Sequence, residues 1–196
     1  MTDVASPALA PRRRRRARLA VTIAVLVLCA LGWGAYRLYN ALFVKHPVVS
    51  SCQVVGLSTG AVYKMDPEQL LNASIIANVA MRRALPERAV VIALATAQQE
   101  SKLRNLDYGD RDSLGLFQQR PSQGWGSPAQ VMTPTYAAGK FYDHLIGIPN
   151  WQAGDLTTIA QAVQRSAFPL AYAKHEPFAT ALTAALARGA SGITCR

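Results

Sequence analysis

A glutamate at position 100 is the strongest candidate for a catalytic group in this sequence. It is the second-last residue of the segment "PERAVVIALATAQQES", residues 86–101, which is apolar on every side from Ala89 to Ala97. This pattern predicts a helix buried at the centre of a domain. Glu100 would then lie at the negative end of the helix dipole, among apolar neighbours, and both effects favour the protonated carboxyl. A carboxyl that stays protonated near neutral pH is what a general acid for glycosidic cleavage requires.

A structural alternative exists for Glu100, which would simply face solvent if the end of the helix were frayed. The polar segment that follows it, "SKLRNLDYGDRDSLGLFQ", interrupts an otherwise aliphatic chain. It contains Asp107, Asp110 and Asp112, and the alternative for all three is turn formation, since aspartate commonly caps turns.

Other kinds of reactive site have no pattern to support them. His46, His144 and His175 lie far apart and lack the paired spacing of metal ligands. No serine stands in a strand–turn–helix elbow, and no glycine-rich loop is suited to cradle phosphates. We therefore expect neither a metal nor a cofactor.

Two short motifs, "ES" at 100–101 and "GLFQ" at 115–118, lie fifteen residues apart. Together they resemble the lysozyme-like superfamily, which includes lytic transglycosylases and goose-type lysozymes. In that superfamily a Glu-Ser pair ends a central helix, and a Gly-Leu-Met-Gln turn lines the cleft opposite; here Phe replaces Met. Residues 109–111, Gly-Asp-Arg, are similar to a goose-type motif. The third family motif, Ala-Tyr-Asn-Ala-Gly, has its best match at 162–166, without the tyrosine and the glycine and with Gln164 in place of the asparagine.

The resemblance covers about residues 66–186 and implies a catalytic role for Glu100. This residue would protonate the bridging oxygen of a β-1,4 bond in peptidoglycan. In a transglycosylase its carboxylate would then act as a base, and the sugar's own 6-hydroxyl would close a 1,6-anhydro ring. In a hydrolase, a second carboxylate positions water instead. Asp110 is the candidate for that second group.

The resemblance also implies residues that bind the glycan. Gln118 would place an amide against a sugar, and Ser101 would orient the Glu100 carboxyl. Trp125 and Tyr172 are candidates for stacking on sugar faces, with burial in the core as the alternative. The expected substrate-binding residues are Ser101, Gly115, Phe117, Gln118, Gln164 and Tyr172.

The elements that must position these residues are predicted to be mainly helices. Proline, aspartate and threonine mark the predicted starts of most of these helices. Residues 109–126, by contrast, are rich in residues that form turns. We therefore predict a mostly α lysozyme-like domain with a short irregular or β-containing loop. The predicted helix starts are Asp66-Pro67, Pro86, Thr133-Pro134 and Asp155, with a last helix over about 176–187.

An apolar run from Leu19 to Tyr36 follows an arginine-rich stretch, residues 12–18. Its length and basic flank predict a transmembrane helix with the N-terminus in the cytoplasm. A cleaved signal peptide is the alternative, although its apolar region is usually shorter. The arginines are better explained by topology than by nucleic-acid binding, so we expect no nucleic-acid partner. The predicted organisation is a cytoplasmic tail (1–18), a transmembrane helix (19–36), a juxtamembrane connector (37–64) and a lysozyme-like domain (65–196).

Most of the formal net charge of +10 belongs to the N-terminal part. Residues 46–196 carry 13 Lys and Arg against 10 Asp and Glu, a mild excess that selects no particular partner. Cys52 and Cys195 stand near the two ends of this region. Because disulfides persist outside the cytoplasm, we predict that these two cysteines are bonded.

Three functions compete at this point. The first is a peptidoglycan-cleaving enzyme of the bacterial cell membrane, either a lytic transglycosylase or a muramidase, with its domain held outside. The second is a non-catalytic glycan-binding or scaffold domain in an envelope or secretion assembly. The third is a structural membrane protein, for which Glu100 and the "GLFQ" turn would be coincidences.

Overall fold

A computed structural model of the chain describes residues 12–43, 49–57, 59–165, 170–189 and 192–196. The chain forms two compact units, Met1–Pro47 and Val48–Arg196. In the predicted tail and connector, residues 1–11, 44–48 and 58 lie outside the described residues.

The first unit contains a single long helix, α1 (Arg12–Phe43). It extends seven residues beyond each end of the predicted transmembrane span, residues 19–36. Within it, Val21–Asn40 has a mean hydropathy of 1.8. Helix α1 is therefore long and apolar enough to cross a membrane, as predicted.

The second unit begins and ends in a small antiparallel sheet of β1 (Cys52–Val55), β2 (Val62–Met65) and β3 (Ile193–Cys195). The strand order is β2-β1-β3. We predict a connector, not strands, for residues 37–64. Strands of three or four residues are too short to show an alternating pattern, and β3 pairs with β1 from the far end of the chain.

The predicted disulfide between Cys52 and Cys195 is confirmed. The two residues are directly opposite each other in the β1–β3 pair. Their sulfur atoms are 2.01 Å apart and close a loop across a sequence separation of 143 residues. The disulfide thus joins the two ends of the second unit.

The prediction of a mostly helical unit is also confirmed. Helix α2 (Pro67–Arg82) begins with a capping box, in which the Asp66 side chain accepts from the Gln69 amide and the Gln69 side chain accepts from the Asp66 amide. Helix α3 (Glu87–Ser101) begins one residue after the predicted start, because Pro86 is its N-cap rather than its first helical residue. The remaining helices are α4 (Pro128–Val131), α5 (Pro134–Ile146), α6 (Leu156–Gln164) and α7 (Glu176–Ala187).

Helix α3 lies at the centre of this unit. Every residue from Ala89 to Ala97 is buried, and the helix contacts α2, α5, α6 and α7. A helix that is apolar on all sides is stable only when neighbours cover every side, which explains this arrangement. The core therefore fixes the position of the end of α3, where Glu100 lies.

Candidate functional site

The end of α3 is sharply defined. Lys102 and Leu103 both adopt left-handed backbone conformations, with φ of 58° and 60°. The Leu103 amide donates to the Ala97 carbonyl at 3.2 Å, which satisfies one of the last carbonyls of the helix. The chain therefore leaves the helix directly after Ser101, and Glu100 is held, half-buried, in the last turn.

Two side chains from distant parts of the chain act on the Glu100 carboxyl. The Tyr172 hydroxyl donates to Glu100 Oε1 at 2.7 Å, and the Gln164 side chain is close enough to affect the pKa of the carboxyl. Burial raises the pKa of Glu100 above its usual value, and Tyr172 and Gln164 oppose the rise without cancelling it. The environment thus stabilises the proton on Glu100 while these two side chains limit the cost of losing it.

Gln164 connects the carboxylate to the "GLFQ" turn. It is the last residue of α6, and its Nε2 donates to the Phe117 carbonyl at 2.7 Å. Phe117 precedes Gln118, whose own side-chain amide donates to the carbonyls of Tyr108 and Gly115. The structure thus brings together the C-terminal ends of α3 and α6 and the "GLFQ" turn.

Close packing in and around the "GLFQ" turn requires glycine at two positions, Gly115 and Gly109. Gly115 has a φ of 74°, and a β-carbon there would lie 2.6 Å from the Val131 carbonyl oxygen. A β-carbon on Gly109 would lie 2.6 Å from the Ser113 carbonyl oxygen and would collide with the Gln118 side chain. Since real β-carbons do not approach that closely, both glycines are required by close packing rather than by flexibility alone.

Three predicted binding residues lie at the site but contact different groups from those expected. Ser101 Oγ donates to the Leu116 carbonyl at 2.7 Å, so it fixes the turn rather than the Glu100 carboxyl. The rings of Phe117 and Tyr172 are fully buried, and Phe117 stacks on Phe141 with ring centroids 4.7 Å apart. These two rings are part of the core, which is the alternative stated for Tyr172 in the sequence analysis.

The carboxylates of the loop lie in a different environment. The Asp110 side chain is 94% exposed and has the Arg111 Nε at 4.0 Å; among the described residues it has no contact with the Glu100 network. Asp107 is also exposed. Asp112 forms an ion pair with Arg120 at 2.6 Å and accepts from the Ser122 amide at 2.8 Å. These hydrogen bonds hold the pKa of Asp112 well below its usual value, and they give Asp112 the turn-forming role stated as its alternative.

A polar cavity of about 190 Å³ lies next to this network. Glu100 does not line the cavity, but Gln164 and Gln118 do. One wall is a stacked pair, Trp125 and His144, with ring centroids 4.2 Å apart. The other lining residues are Gln119, Arg120, Gln123, Val163 and Arg165. Of these lining residues, only Gln118, Gln164 and Trp125 were candidates for binding in the sequence; Val163 and Arg165 lie in the motif match at 162–166 but were given no role.

A second contact near Glu100 was also missed. His175 Nε2 lies 3.0 Å from Gln99 Oε1, and burial with two nearby lysines, Lys102 and Lys174, lowers the pKa of His175 to about 4. His175 is therefore neutral at neutral pH and acts as the donor to Gln99. The segment that carries Tyr172 and His175 thus contacts two adjacent residues of α3, Glu100 and Gln99.

The residues that the structure describes contain no group of three or more His, Cys, Asp or Glu that could hold a metal ion. No protein-family model matches the chain, and a search of the curated proteins finds no match either. The function is therefore argued from the contacts of Glu100 and its neighbours.

Proposed function

We propose that this protein is a membrane-anchored enzyme that cleaves the β-1,4 glycosidic bonds of peptidoglycan, with Glu100 as the general acid and base. The observation that carries the proposal is the environment of Glu100: a half-buried carboxyl with a raised pKa, at the end of a buried helix, that accepts from Tyr172. Strongly perturbed carboxyls cluster at sites of acid–base chemistry.

The chemistry follows from the two forms of this carboxyl. The protonated form donates its proton to the bridging oxygen as the bond from that oxygen to the anomeric carbon breaks. Glu100 is then charged, and Tyr172 and Gln164 stabilise the charge. The carboxylate next removes the proton of the sugar's 6-hydroxyl, whose oxygen bonds to the anomeric carbon. The ring closes as a 1,6-anhydro sugar, Glu100 is protonated again, and no water is consumed.

The environment of Asp110 is the reason for proposing this route over hydrolysis. A muramidase uses a second carboxylate to position water or to attack the sugar, and that carboxylate must be held in place. The Asp110 side chain is 94% exposed, and among the described residues its ion pair is with Arg111 Nε at 4.0 Å. We therefore propose a lytic transglycosylase rather than a muramidase.

The proposal extends to the fold and the location. The central buried helix that ends at Glu100-Ser101, together with the "GLFQ" turn bonded to it, supports a lysozyme-like domain. The apolar helix α1 supports a single-pass protein of the bacterial cell membrane. Its arginine-rich start supports an N-terminus in the cytoplasm and a second unit outside, where peptidoglycan would be. The disulfide is consistent with that compartment.

A non-catalytic glycan-binding or scaffold domain is the second candidate. One observation favours it: the polar cavity beside the site is lined by Gln118, Gln164 and Trp125 but not by Glu100. Such a domain would bind the polymer through the cavity, and Glu100 would only hold the segment that carries Tyr172 in place.

The test is to incubate the full chain, purified in detergent, with peptidoglycan sacculi and to determine the masses of the released fragments. Anhydro-muropeptides are expected from a transglycosylase, reducing ends from a muramidase, and no fragments from a scaffold. Glu100→Gln should release no fragments. Glu87→Gln is the matched control, because it removes the same charge from the exposed first turn of the same helix. A Glu100→Gln protein that still cleaves would overturn the assignment of the acid.

A further inference from the structure

The segment that carries Tyr172 is short and leads directly into α7. Tyr172 precedes a single turn of 3₁₀ helix, Ala173–His175, and the His175 amide donates to the Tyr172 carbonyl at 3.0 Å. Helix α7 begins at the next residue, Glu176. Because the backbone hydrogen bond links the two residues within one turn, a displacement of His175 also displaces Tyr172.

Two side chains of this segment reach adjacent residues of α3. The Tyr172 hydroxyl donates to Glu100 Oε1 at 2.7 Å, and His175 Nε2 lies 3.0 Å from Gln99 Oε1. Successive residues of an α-helix point about 100° apart around its axis. The two hydrogen bonds therefore hold the segment from two directions. A single bond would leave the segment free to rotate about it, and the second bond removes that freedom.

The bond between His175 and Gln99 involves a neutral ring. Burial, together with Lys102 and Lys174, lowers the pKa of His175 to about 4. The ring is therefore neutral at the pH at which Glu100, whose pKa is raised, loses its proton. A neutral ring that donates from Nε2 matches an amide oxygen, which only accepts. The pair thus contributes geometry to the site rather than charge.

We propose that His175 is a positioning residue, whose hydrogen bond to Gln99 holds the Tyr172 hydroxyl on the Glu100 carboxyl. In the described part of the chain His175 forms no hydrogen bond with Glu100 itself, so it acts through Tyr172. That Glu100 is a catalytic acid rests on the proposed function, whereas the positioning of Tyr172 rests on the contacts of Gln99 and His175. Since the Tyr172 hydroxyl favours charged Glu100, loss of the His175 bond makes Glu100 harder to ionise.

The experiment is a carbon-13 NMR titration of the Glu100 carboxyl in the full chain, purified in detergent. The chain contains four glutamates, so labelled glutamate gives few signals, and Glu100→Gln identifies the signal of Glu100. His175→Phe keeps an aromatic ring and removes the donor. We expect it to raise the pKa of Glu100 by about half a pH unit, in the same direction as Tyr172→Phe. His175→Gln, whose amide can still donate, should restore most of the wild-type value.

The double variant Tyr172→Phe/His175→Phe tests whether His175 acts through Tyr172. If it does, adding His175→Phe to Tyr172→Phe should change the pKa of Glu100 by less than about 0.2 pH unit. Gln99→Leu should reproduce the shift of His175→Phe, because it removes the acceptor of the same bond. Gln98→Leu is the matched control. Gln98 is the neighbouring half-buried glutamine of α3, and its side chain forms no hydrogen bond within the described residues.

Three results would overturn the inference: an unchanged pKa of Glu100 in His175→Phe, additive shifts in the double variant, or equal effects of Gln99→Leu and Gln98→Leu. A purely structural role of His175 would lower Tm and leave the pKa of Glu100 unchanged. The sacculus assay separates the two proposals. Cleavage by wild type without these pKa shifts rejects the positioning role alone, and the expected shifts without cleavage reject the enzymatic function alone.

Discussion

The end of α3 and the loop at 107–112 contain carboxyls whose pKa values are shifted in opposite directions. Glu100 is half-buried and accepts from Tyr172, which belongs to a distant segment, and its pKa is raised. Asp112 is also half-buried, but it is hydrogen-bonded to Ser122 and Arg120, and its pKa is lowered, while Asp110 is 94% exposed. Burial is the larger effect at Glu100 and hydrogen bonding at Asp112, so the surroundings rather than the residue type make one carboxyl an acid and the other an anion.

The largest expected effect of that difference is on activity. A general acid contributes about 10²–10⁴-fold to the rate, so Glu100→Gln should reduce the release of fragments from sacculi by that factor. Asp110→Asn should change the rate by less than about twofold, because in the transglycosylase route no second carboxylate is used. Initial rates measured by fragment mass would check both variants. An equal loss in the two would show that Asp110 has a catalytic role and that the hydrolase route applies.

The "GLFQ" turn should tolerate an added β-carbon less well than a turn whose glycine has open space around it. Gly115→Ala places a β-carbon 2.6 Å from the Val131 carbonyl oxygen and strains a φ of 74°. We expect it to lower the free energy of unfolding by about 3 kcal/mol, as overpacking and backbone strain combine. Gly124→Ala has a similar φ of 81° with open space around it, so about 1 kcal/mol is expected from backbone strain alone. Chemical denaturation compares the two, and equal losses would contradict the packing argument.

Tyr172→Phe should shift the pH profile of cleavage. The Tyr172 hydroxyl stabilises the charged form of Glu100, so its removal raises the pKa of Glu100 further. Activity that needs protonated Glu100 should then persist to higher pH, while the maximal rate falls about tenfold as the charged intermediate loses a hydrogen bond. Tyr142→Phe is the control, since Tyr142 is equally buried and its hydroxyl donates to the Ile76 carbonyl. If Tyr172→Phe, like Tyr142→Phe, lowered stability and left the pH profile of cleavage unchanged, Tyr172 would not position the acid.

The smallest effects expected are on stability, and they have opposite signs. The folded-state pKa of Glu100 is raised, so native Glu100 retains its proton over a pH range in which the unfolded chain has lost it, and stability falls as pH rises through that range. Glu100→Gln cannot ionise and should raise Tm at neutral pH, with the advantage disappearing as pH falls below the unfolded pKa.

The folded-state pKa of Asp112 is lowered. Asp112→Asn should therefore lower Tm at neutral pH, with the penalty disappearing as pH falls through the lowered pKa.

Thermal denaturation of both variants and wild type between acidic and neutral pH measures these differences. Parallel curves for Glu100→Gln and Asp112→Asn would show that the two carboxyls do not differ in environment and would contradict the comparison.

The periodicity of the chain was enough to predict α2, α3, α5, α6 and α7, but not the four-residue helix α4, which is too short to show a periodic pattern. Pro67 and Pro134 begin helices as predicted, and α7 has the predicted bounds. The three strands were missed, because two of them pair across almost the whole second unit and each is only three or four residues long. At the site, Gln164 and Tyr172 were named but the hydrogen bond from Tyr172 to Glu100 was not predicted. Gln119 and His144 belong to no motif, and Arg165 was given no role although it lies in the motif match at 162–166.

The sequence by itself determined the apolar helix α1, the central burial of α3, the placement of Glu100 at its end, and the pairing of Cys52 with Cys195. These features depend on local composition, on helical periodicity, or on a choice between few cysteines. Only the tertiary structure decided what meets Glu100. The Tyr172 hydroxyl reaches it from 72 residues away, and such a contact depends on how whole helices pack, which no local pattern of residues specifies.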